Sequence, residues 1–523
     1  MPALAAFVLI VLPWLNPFSP GPTSAVGPLL FSWLCAALLL LALAAHRQQG
    51  QGPDMLRAVA AGWLAAAVLS AVIGLLQYFG ATAAFGDWLN HTEPGIAYGN
   101  LRQRNQFATL LNIGLLALLW LAAREPAAAH PGRAWGDLHP FTLLLLAALL
   151  GSANAASSSR TGLLQLMLVL ALALWWQWWQ WRAAPRADDR MAHRPGYAWP
   201  VLLTALLAYG LASFVLPLLA GLDPLSSGAW SRLRSGDALC ASRLTLWRNV
   251  LHLIAQKPWL GWGWGELDYA HFITLYPGPR FCDILDNAHN LPLHLAVELG
   301  VPLALLLCGA GGWLVWRARP WREQSSARQM AWGVLAVILL HSLLEYPLWY
   351  GPFQMAVALS VWLLCWLPPV WPHPESYKPF SPLAQYSKAL AAIFIIILCG
   401  SVGYNYHQAS QIYQSPEERD PAYQDDTLEK IRDVWFFADQ VRFADLTTAD
   451  LNADSAARLH TLALEMLHFS PEARVLERLL DSATLLDRHD EVAFYAARMQ
   501  VAFPKDHAAW AATQPPFDGK NQP

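Results

Sequence analysis

A chain of 523 residues with 55% hydrophobic and only 14% charged residues is not a string of soluble domains, where about a quarter of residues carry charge. Charge is also segregated: residues 405–523 hold 20 acidic and 11 basic residues, whereas the first 404 hold 17 and 23. With a mean hydropathy of +0.30, this reads as a long membrane part followed by a soluble acidic tail, and the net charge of −3 gives no footprint for nucleic acid.

A helix rises about 1.5 Å per residue, so a hydrocarbon core of about 30 Å needs about 20 apolar residues. Apolar runs of this kind fall near 26–46, 57–79, 105–123, 139–156, 161–181, 198–220, 291–316, 329–344, 350–371 and 386–404. An earlier run, 3–18, carries Pro13, Asn16 and Pro17 and reads as a short uncleaved anchor or a re-entrant piece. No charged n-region or small-residue cleavage site precedes the second run, so a removed leader is not expected. The expected fold class is an all-α polytopic membrane protein of about eleven transmembrane helices with a large outer loop, divided into a membrane domain (1–407) and a soluble helical-hairpin domain (408–523).

Orientation follows from Lys and Arg in short loops. The connections bearing Arg47 and Arg57, then Arg182, Arg186, Arg190 and Arg194, then Arg317, Arg319, Arg322 and Arg328 read as cytoplasmic. Segments 80–104, 222–290, 345–352 and the tail are then outside, which in a bacterial cell is the periplasm. Trp175, Trp176, Trp178, Trp179 and Trp181 end a run beside Arg182 and read as an interfacial aromatic belt. Cys35, Cys308, Cys365 and Cys399 lie in apolar runs. Cys240 and Cys282 are the pair in the outer loop, and a disulfide between them is worth about 3–4 kcal/mol in the chain-entropy model.

The outer loop carries the chemistry-bearing residues. It holds Ser242–Arg248 (SRLTLWR), Lys257–Gly265 (KPWLGWGWG) and Asp286–Asn290 (DNAHN). Asn290 is expected to cap the next helix with Pro292 in its first turn, which sets His289 at a helix N-terminus. That end disfavours imidazolium and attracts phosphate, so His289 reads as a neutral base or as a plain surface hydrogen-bonder. Arg160, in Ser157–Gly162 (SSSRTG), faces either an anionic ligand or lipid headgroups. Arg243, Arg248, Arg102 and Arg104 add outer guanidiniums, whose forks suit diphosphate oxygens. The Gly-Trp alternation of 261–265 reads as packing or interface anchoring, with sugar stacking as the alternative. His294 with Glu298 and His341 with Glu345 are i,i+4 pairs, either functional or simply hydrogen-bonded neighbours. Glu345 opens an outer turn, 345–352, suited to an acceptor groove. No nucleotide loop and no His/Cys metal cluster stands out, so neither cofactor nor metal is expected.

In the tail, Leu462–Leu467 precede Ser470-Pro471-Glu472, read as a cap and first helical position. Helices are expected through Val475–Leu480 and Val492–Val501, like a tetratricopeptide unit.

Five blocks together resemble the bacterial O-antigen ligase and polymerase superfamily, and within it the pilin-type protein O-oligosaccharyltransferases: Arg102–Leu110 (RQRNQFATL), Ser157–Gly162, Ser242–Gly265, Asp286–Gly300 (DNAHNLPLHLAVELG) and His341–Pro352 (HSLLEYPLWYGP). The resemblance implies metal-independent, inverting glycosyl transfer at the periplasmic face of the inner membrane from a glycan on undecaprenyl diphosphate. His289 matches the family's loop histidine, with the role of general base, and Arg160 and Arg243 match its diphosphate-binding arginines. Gln106 and Tyr346 match polar positions of the protein-glycosylating branch, and Arg102, Arg104, Arg248, Asn290 and Glu345 are further donor or acceptor contacts. The implied acceptor is a pilin-like protein, with lipid A core or a growing glycan as the alternative. The long tail speaks against the lipopolysaccharide branch, and 222–238 matches no motif. A transporter would need discontinuous helices and a midplane ionic pathway, whereas the polar residues crowd one outer surface.

Overall fold

The computed structural model describes residues 2–44, 52–123, 139–183, 198–228, 239–367 and 382–514. Arg47, Arg186, Arg190, Arg194 and residues 229–238 of the unmatched stretch lie outside the described residues. The described chain is all-α and contains no strand.

Eleven helices fall on the eleven apolar runs: α1 (Pro2–Leu15), α2 (Val26–Ala44), α3 (Gly52–Tyr78), α4 (Arg104–Ala122), α5 (Pro140–Ala156), α6 (Arg160–Ala183), α7 (Ala198–Leu219), then, beyond the loop, a helix at Val301–Ala318, and those at Ser326–Ser342, Gly351–Trp366 and Pro382–Ser410. Seven helices among the described residues are long and apolar enough to cross a membrane. Helices α1, α5 and Gly351–Trp366 are apolar but shorter. α1 stops before Asn16-Pro17. The expected run 291–316 is in fact two helices: Gly300, at φ +84°, separates Leu291–Leu299 from Val301–Ala318. In chain order the outer loop supplies α8 (Arg243–Gln256), α9 (Leu267–Ile273) and α10 (Leu291–Leu299). The later helices of the membrane part are α11 (Val301–Ala318), α12 (Ser326–Ser342), α13 (Gly351–Trp366) and α14 (Pro382–Ser410). The tail holds α15 (Thr427–Lys430), α16 (Ala438–Thr448), α17 (Ala456–Met466), α18 (Ala473–Leu485), α19 (His489–Ala502) and α20 (Pro504–Thr513).

The chain divides into two compact units, cut differently from the expected boundary at 407. One contains residues 1–236 and 312–401; the other contains the outer loop, 237–311, together with 402–523. In the first unit, small residues let helix backbones approach, as membrane packing requires. A Cβ on Gly114 would lie 2.2 Å from the Ala67 Cβ, and one on Gly151 2.2 Å from the Ala205 carbonyl oxygen, so α4 closes on α3 and α7 on α5. The tryptophans at the end of α6, expected as an interfacial belt, also make specific contacts. Trp175 and Trp176 donate to the carbonyls of Trp321 (2.9 Å) and Pro320 (2.7 Å), and Arg322 lies over the Trp179 ring. Arg328, expected to be a topology charge, is buried: it pairs with Glu323 (2.7 Å) and donates to the Leu364 and Leu367 carbonyls that close α13.

In the second unit the tail helices α16–α19 share one core around Leu446, Leu459, Met466, Leu476, Leu479 and Met499, and the loop residue Phe272 is a buried member of it. The apolar positions of α18 recur at helical spacing and face this core. The expected Ser470-Pro471 start is displaced: α18 begins at Ala473 behind Glu472, because the Ser470 hydroxyl turns to the Glu472 carboxylate (3.0 Å) instead of capping.

Candidate functional site

In the first unit, three of the sequence blocks meet at one end of the bundle. Gln103 caps α4 by accepting from the Gln106 N–H (2.6 Å), which makes Arg104 the first helical residue. Ser159 caps α6 in the same way, accepting from the Gly162 N–H (2.9 Å), and Arg160 follows it as an exposed first residue. The buried serines before it turn the chain, with Ser158 at φ +53°. Asn105 joins these helices. Its amide donates to Glu345 Oε1 (3.1 Å), and its oxygen accepts from the Ser159 hydroxyl (2.6 Å).

One turn deeper, Thr109 pairs with His341 Nδ1 (3.0 Å) and accepts from Gln165 (2.8 Å), which also donates to the Val337 carbonyl. His341 and Glu345 therefore each engage α4, on a shared ladder of α4, α6 and α12. Gln106 is buried. Tyr346 lies in the following turn, stacked 5.9 Å from Tyr350. Arg102 is held at φ +60° with its guanidinium donating to the Pro17 carbonyl (2.6 Å) and to Asn90 (3.3 Å), which makes it a pin between loop and α1. Asn105 was not singled out from sequence; the available signal was a polar side chain one residue inside an apolar span.

In the second unit the same construction recurs. Ser242 caps α8 by accepting from the Thr245 N–H (3.2 Å), and Arg243 is the first helical residue. Arg248 lies exposed further along. Asn290 caps α10 by accepting from the Leu293 N–H (3.1 Å), with Pro292 in its first turn. His289 stands immediately before the cap at φ +49°, a left-handed conformation, and its N–H donates to the buried Asn287 Oδ1 (2.9 Å). Trp247 of α8 donates to the Ala288 carbonyl (3.1 Å). Leu246, Val250, Leu285, Ala288 and Val297 share one buried cluster. The helix that begins with Arg243 thus fixes the turn that presents His289. The Asp286 carboxyl is raised above the usual range by desolvation, against which a charge on His289 would work.

Two glycines of the quoted blocks have one joint purpose. Gly261 (φ +71°) and Gly300 (φ +84°) let the loop backbone lie on the α10–α11 corner. A Cβ would stand 2.3 Å from the Glu298 oxygen in the first case and 2.1 Å from the Trp259 oxygen in the second. Trp262 and Gly263 donate to the Val297 (2.8 Å) and Glu298 (3.0 Å) carbonyls, and Val301 donates to that of Pro258 (2.8 Å). His294 and Glu298 form a buried pair at 3.6 Å on α10.

The remainder of the loop is braced internally. His271 is buried, with Nδ1 on the Tyr276 hydroxyl (2.8 Å) and Nε2 on the Phe281 carbonyl (3.2 Å), and burial with the Arg280 charge pushes it down to about 3. Asp268 is pushed up to about 7, chiefly by burial and then by Glu266 and Asp286. Cys240 and Cys282 are both free thiols, so the expected disulfide is not formed here. They are nonetheless neighbours: the Cys282 N–H donates to the Cys240 carbonyl (3.2 Å), and their thiols are hydrogen-bonded. Among the described residues no three His, Cys, Asp or Glu side chains are grouped as metal ligands would be.

Each unit thus carries arginine directly after a capped helix start, Arg104 and Arg160 in the first and Arg243 in the second, an arrangement suited to anions. Residues 144–308 match the family described as O-antigen ligase, 329–516 that described as virulence factor membrane-bound polymerase, C-terminal, and 97–122 that described as protein glycosylation ligase. The last match spans the Asn105 helix, and the second carries the tail. The chain is similar to two proteins of Acinetobacter baylyi. One is a general O-oligosaccharyltransferase, 25% identical over 326 residues, covering 57% of this chain and 49% of that protein. The other is a ComP-specific O-oligosaccharyltransferase, 25% identical over 271 residues, covering 50% and 43%. The chain thus spans about half the length of these relatives.

Proposed function

We propose that this chain, which belongs to the O-antigen ligase superfamily, transfers an oligosaccharide from undecaprenyl diphosphate to Ser or Thr hydroxyls of periplasmic, pilin-like proteins. The observation that carries the reading is the construction repeated at helix starts: a capping side chain followed by Arg at α4, α6 and α8, and His289 before the Asn290 cap of α10.

In this reading His289 accepts the proton of the acceptor hydroxyl while its oxygen attacks the anomeric carbon of the donor sugar. The bond from that carbon to the phosphate oxygen breaks, inverting the anomeric centre, and the electron pair leaves with the lipid diphosphate. Arg243 and Arg160 are assigned to the charge that grows on this leaving group, where positioned cations act most strongly in the transition state. No metal is assigned a part. The left-handed turn at His289, fixed by Asn287 and Trp247, holds the base in place before substrate arrives. Arg104, Gln106, Glu345 and Tyr346 are assigned to donor or acceptor contacts from the first unit, and Arg248 and Asn290 from the second. The site is placed on the periplasmic face of the inner membrane, in keeping with the distribution of loop arginines.

The test is reconstitution with lipid-linked glycan and a pilin-like acceptor. His289→Ala is expected to abolish transfer, and retained transfer would refute the base assignment. Arg243→Lys keeps the charge but loses the planar fork, so an unchanged rate would refute bidentate diphosphate binding. A second reading, transfer to lipid A core or to a growing glycan, draws on the matches described as O-antigen ligase and virulence factor polymerase. Transfer to lipid A core with none to protein would select it.

A further inference from the structure

The second unit carries exposed aromatic groups that neither the helix-start arginines nor His289 use. Trp259 is 76% exposed and Leu260 85%, in a segment held by backbone hydrogen bonds to the α10–α11 corner. Its neighbour Trp262 faces inward, donating to the Leu253 carbonyl (3.0 Å) with Lys257 over its ring. The outward pair is therefore not a floppy tip. It is fixed at the residue where a membrane-crossing helix begins, and Leu303, Leu305, Leu306 and Leu307 of that helix are exposed apolar residues directly following.

The same arrangement occurs at the end of α14. Trp435, 78% exposed, and Phe436 donate their N–H groups to Asn405 Oδ1 (3.1 and 3.4 Å), beside exposed Tyr404 in the last turns of that helix. Scattered exposed apolar residues are ordinary. Two rigid aromatic points, each tied to the terminus of a membrane-crossing helix, are what Trp and Tyr do at the headgroup layer, where one part of the ring is apolar and the other wet.

We propose that Trp259-Leu260 and Trp435-Phe436 are two membrane feet, inserted among lipid headgroups and upper acyl chains, through which the loop-and-tail unit is seated on the bilayer. Continuity with the exposed apolar residues of α11, a helix long and apolar enough to cross a membrane, selects lipid over a second copy of the chain or a bound glycan. The proposal stands whether or not the transferase reading does.

The test places a benzoylphenylalanine photocrosslinker at residue 260, 435 or 493 of the full-length protein in phosphatidylethanolamine–phosphatidylglycerol vesicles. Ala493 is an exposed position on α19 and serves as reference. Irradiation is expected to give phospholipid adducts at 260 and 435 and none at 493, read by mass spectrometry. Lipid adducts at all three positions alike, adducts only to a second protein chain or to glycan, or no adduct at 260 and 435 would each overturn the proposal.

Discussion

Phe272→Ala tests whether the outer loop and the tail are one folded body. Phe272 lies in α9 of the loop, is 3% exposed, and shares one buried cluster with tail residues such as Phe443, Leu446, Leu459 and Leu476. Three polar contacts surround this anchor. Tyr269 stacks on His468 at 3.9 Å, His468 Nδ1 meets Glu266 Oε2 at 2.7 Å, and Arg498 donates to the Ile273 carbonyl at 2.9 Å. The exposed ion pair contributes at most about 1 kcal/mol, whereas truncating a fully buried Phe costs about 3–5 kcal/mol through lost transfer energy and the cavity left behind. Burial of the ring therefore outweighs the ion pair beside it. Its removal raises the population of the detached loop by about two to three and a half powers of ten. The assay is hydrogen exchange at amides 267–273 in full-length protein in detergent, with Val501→Ala on the exposed side of α19 as a control that should stay within about 0.5 kcal/mol. Equal protection of the loop in Phe272→Ala and wild type would refute the idea that the tail holds it.

Gly261→Ala and Gly300→Ala should each lower the thermal midpoint, since the left-handed backbone alone costs about 1–2 kcal/mol for a residue with a Cβ and a carbonyl oxygen blocks the added carbon. Because both open the same contact, the double variant should fall short of the sum, and strict additivity would show that they act separately. His271 and Asp268 give opposite pH slopes. Native His271 stays unprotonated down to about 3 while the unfolded chain takes up a proton below about 6.5, so acidification through this window costs stability, by up to about 1.4 kcal/mol per pH unit. Native Asp268 holds its proton up to about 7 while the unfolded carboxyl ionises above about 4, so the same acidification favours folding. Between about pH 4 and 6.5, His271→Gln should gain stability on acidification relative to wild type and Asp268→Asn should lose it; parallel melting curves for the three proteins would dismiss both assignments. Oxidation of Cys240 and Cys282, already neighbours as thiols, should stabilise the loop by about 3–4 kcal/mol. Recovery of both as free thiols after purification without reductant would rule that disulfide out.

Features governed by local rules were legible in the sequence. The apolar runs became helices, and Asn290 caps α10 as its side chain dictates, with His289 beside that cap. Features set by tertiary contact were not. Nothing in the stretch around Phe272 announces that it belongs to a core built from α16–α19. Arg102 and Arg328 looked like surface charges, yet both terminate on backbone carbonyls that only folding brings to them. His341 and Glu345 have helical spacing, but each turns to a partner on α4. The Ser470 signal failed because a carboxylate two residues on competes for the hydroxyl.

The joining of loop and tail also imposes an order on biogenesis. Glu266 and His468 are 202 residues apart, and Ile273 and Arg498 are 225 apart, with α11–α14 between. Contacts so distant in sequence form late and slowly. The segment leading to His289 leaves the ribosome long before the helices that brace it, so a nascent chain that has inserted most of its spans still lacks the body that shapes this loop. A chain cut within α16–α19 would therefore carry the loop without the core that encloses Phe272.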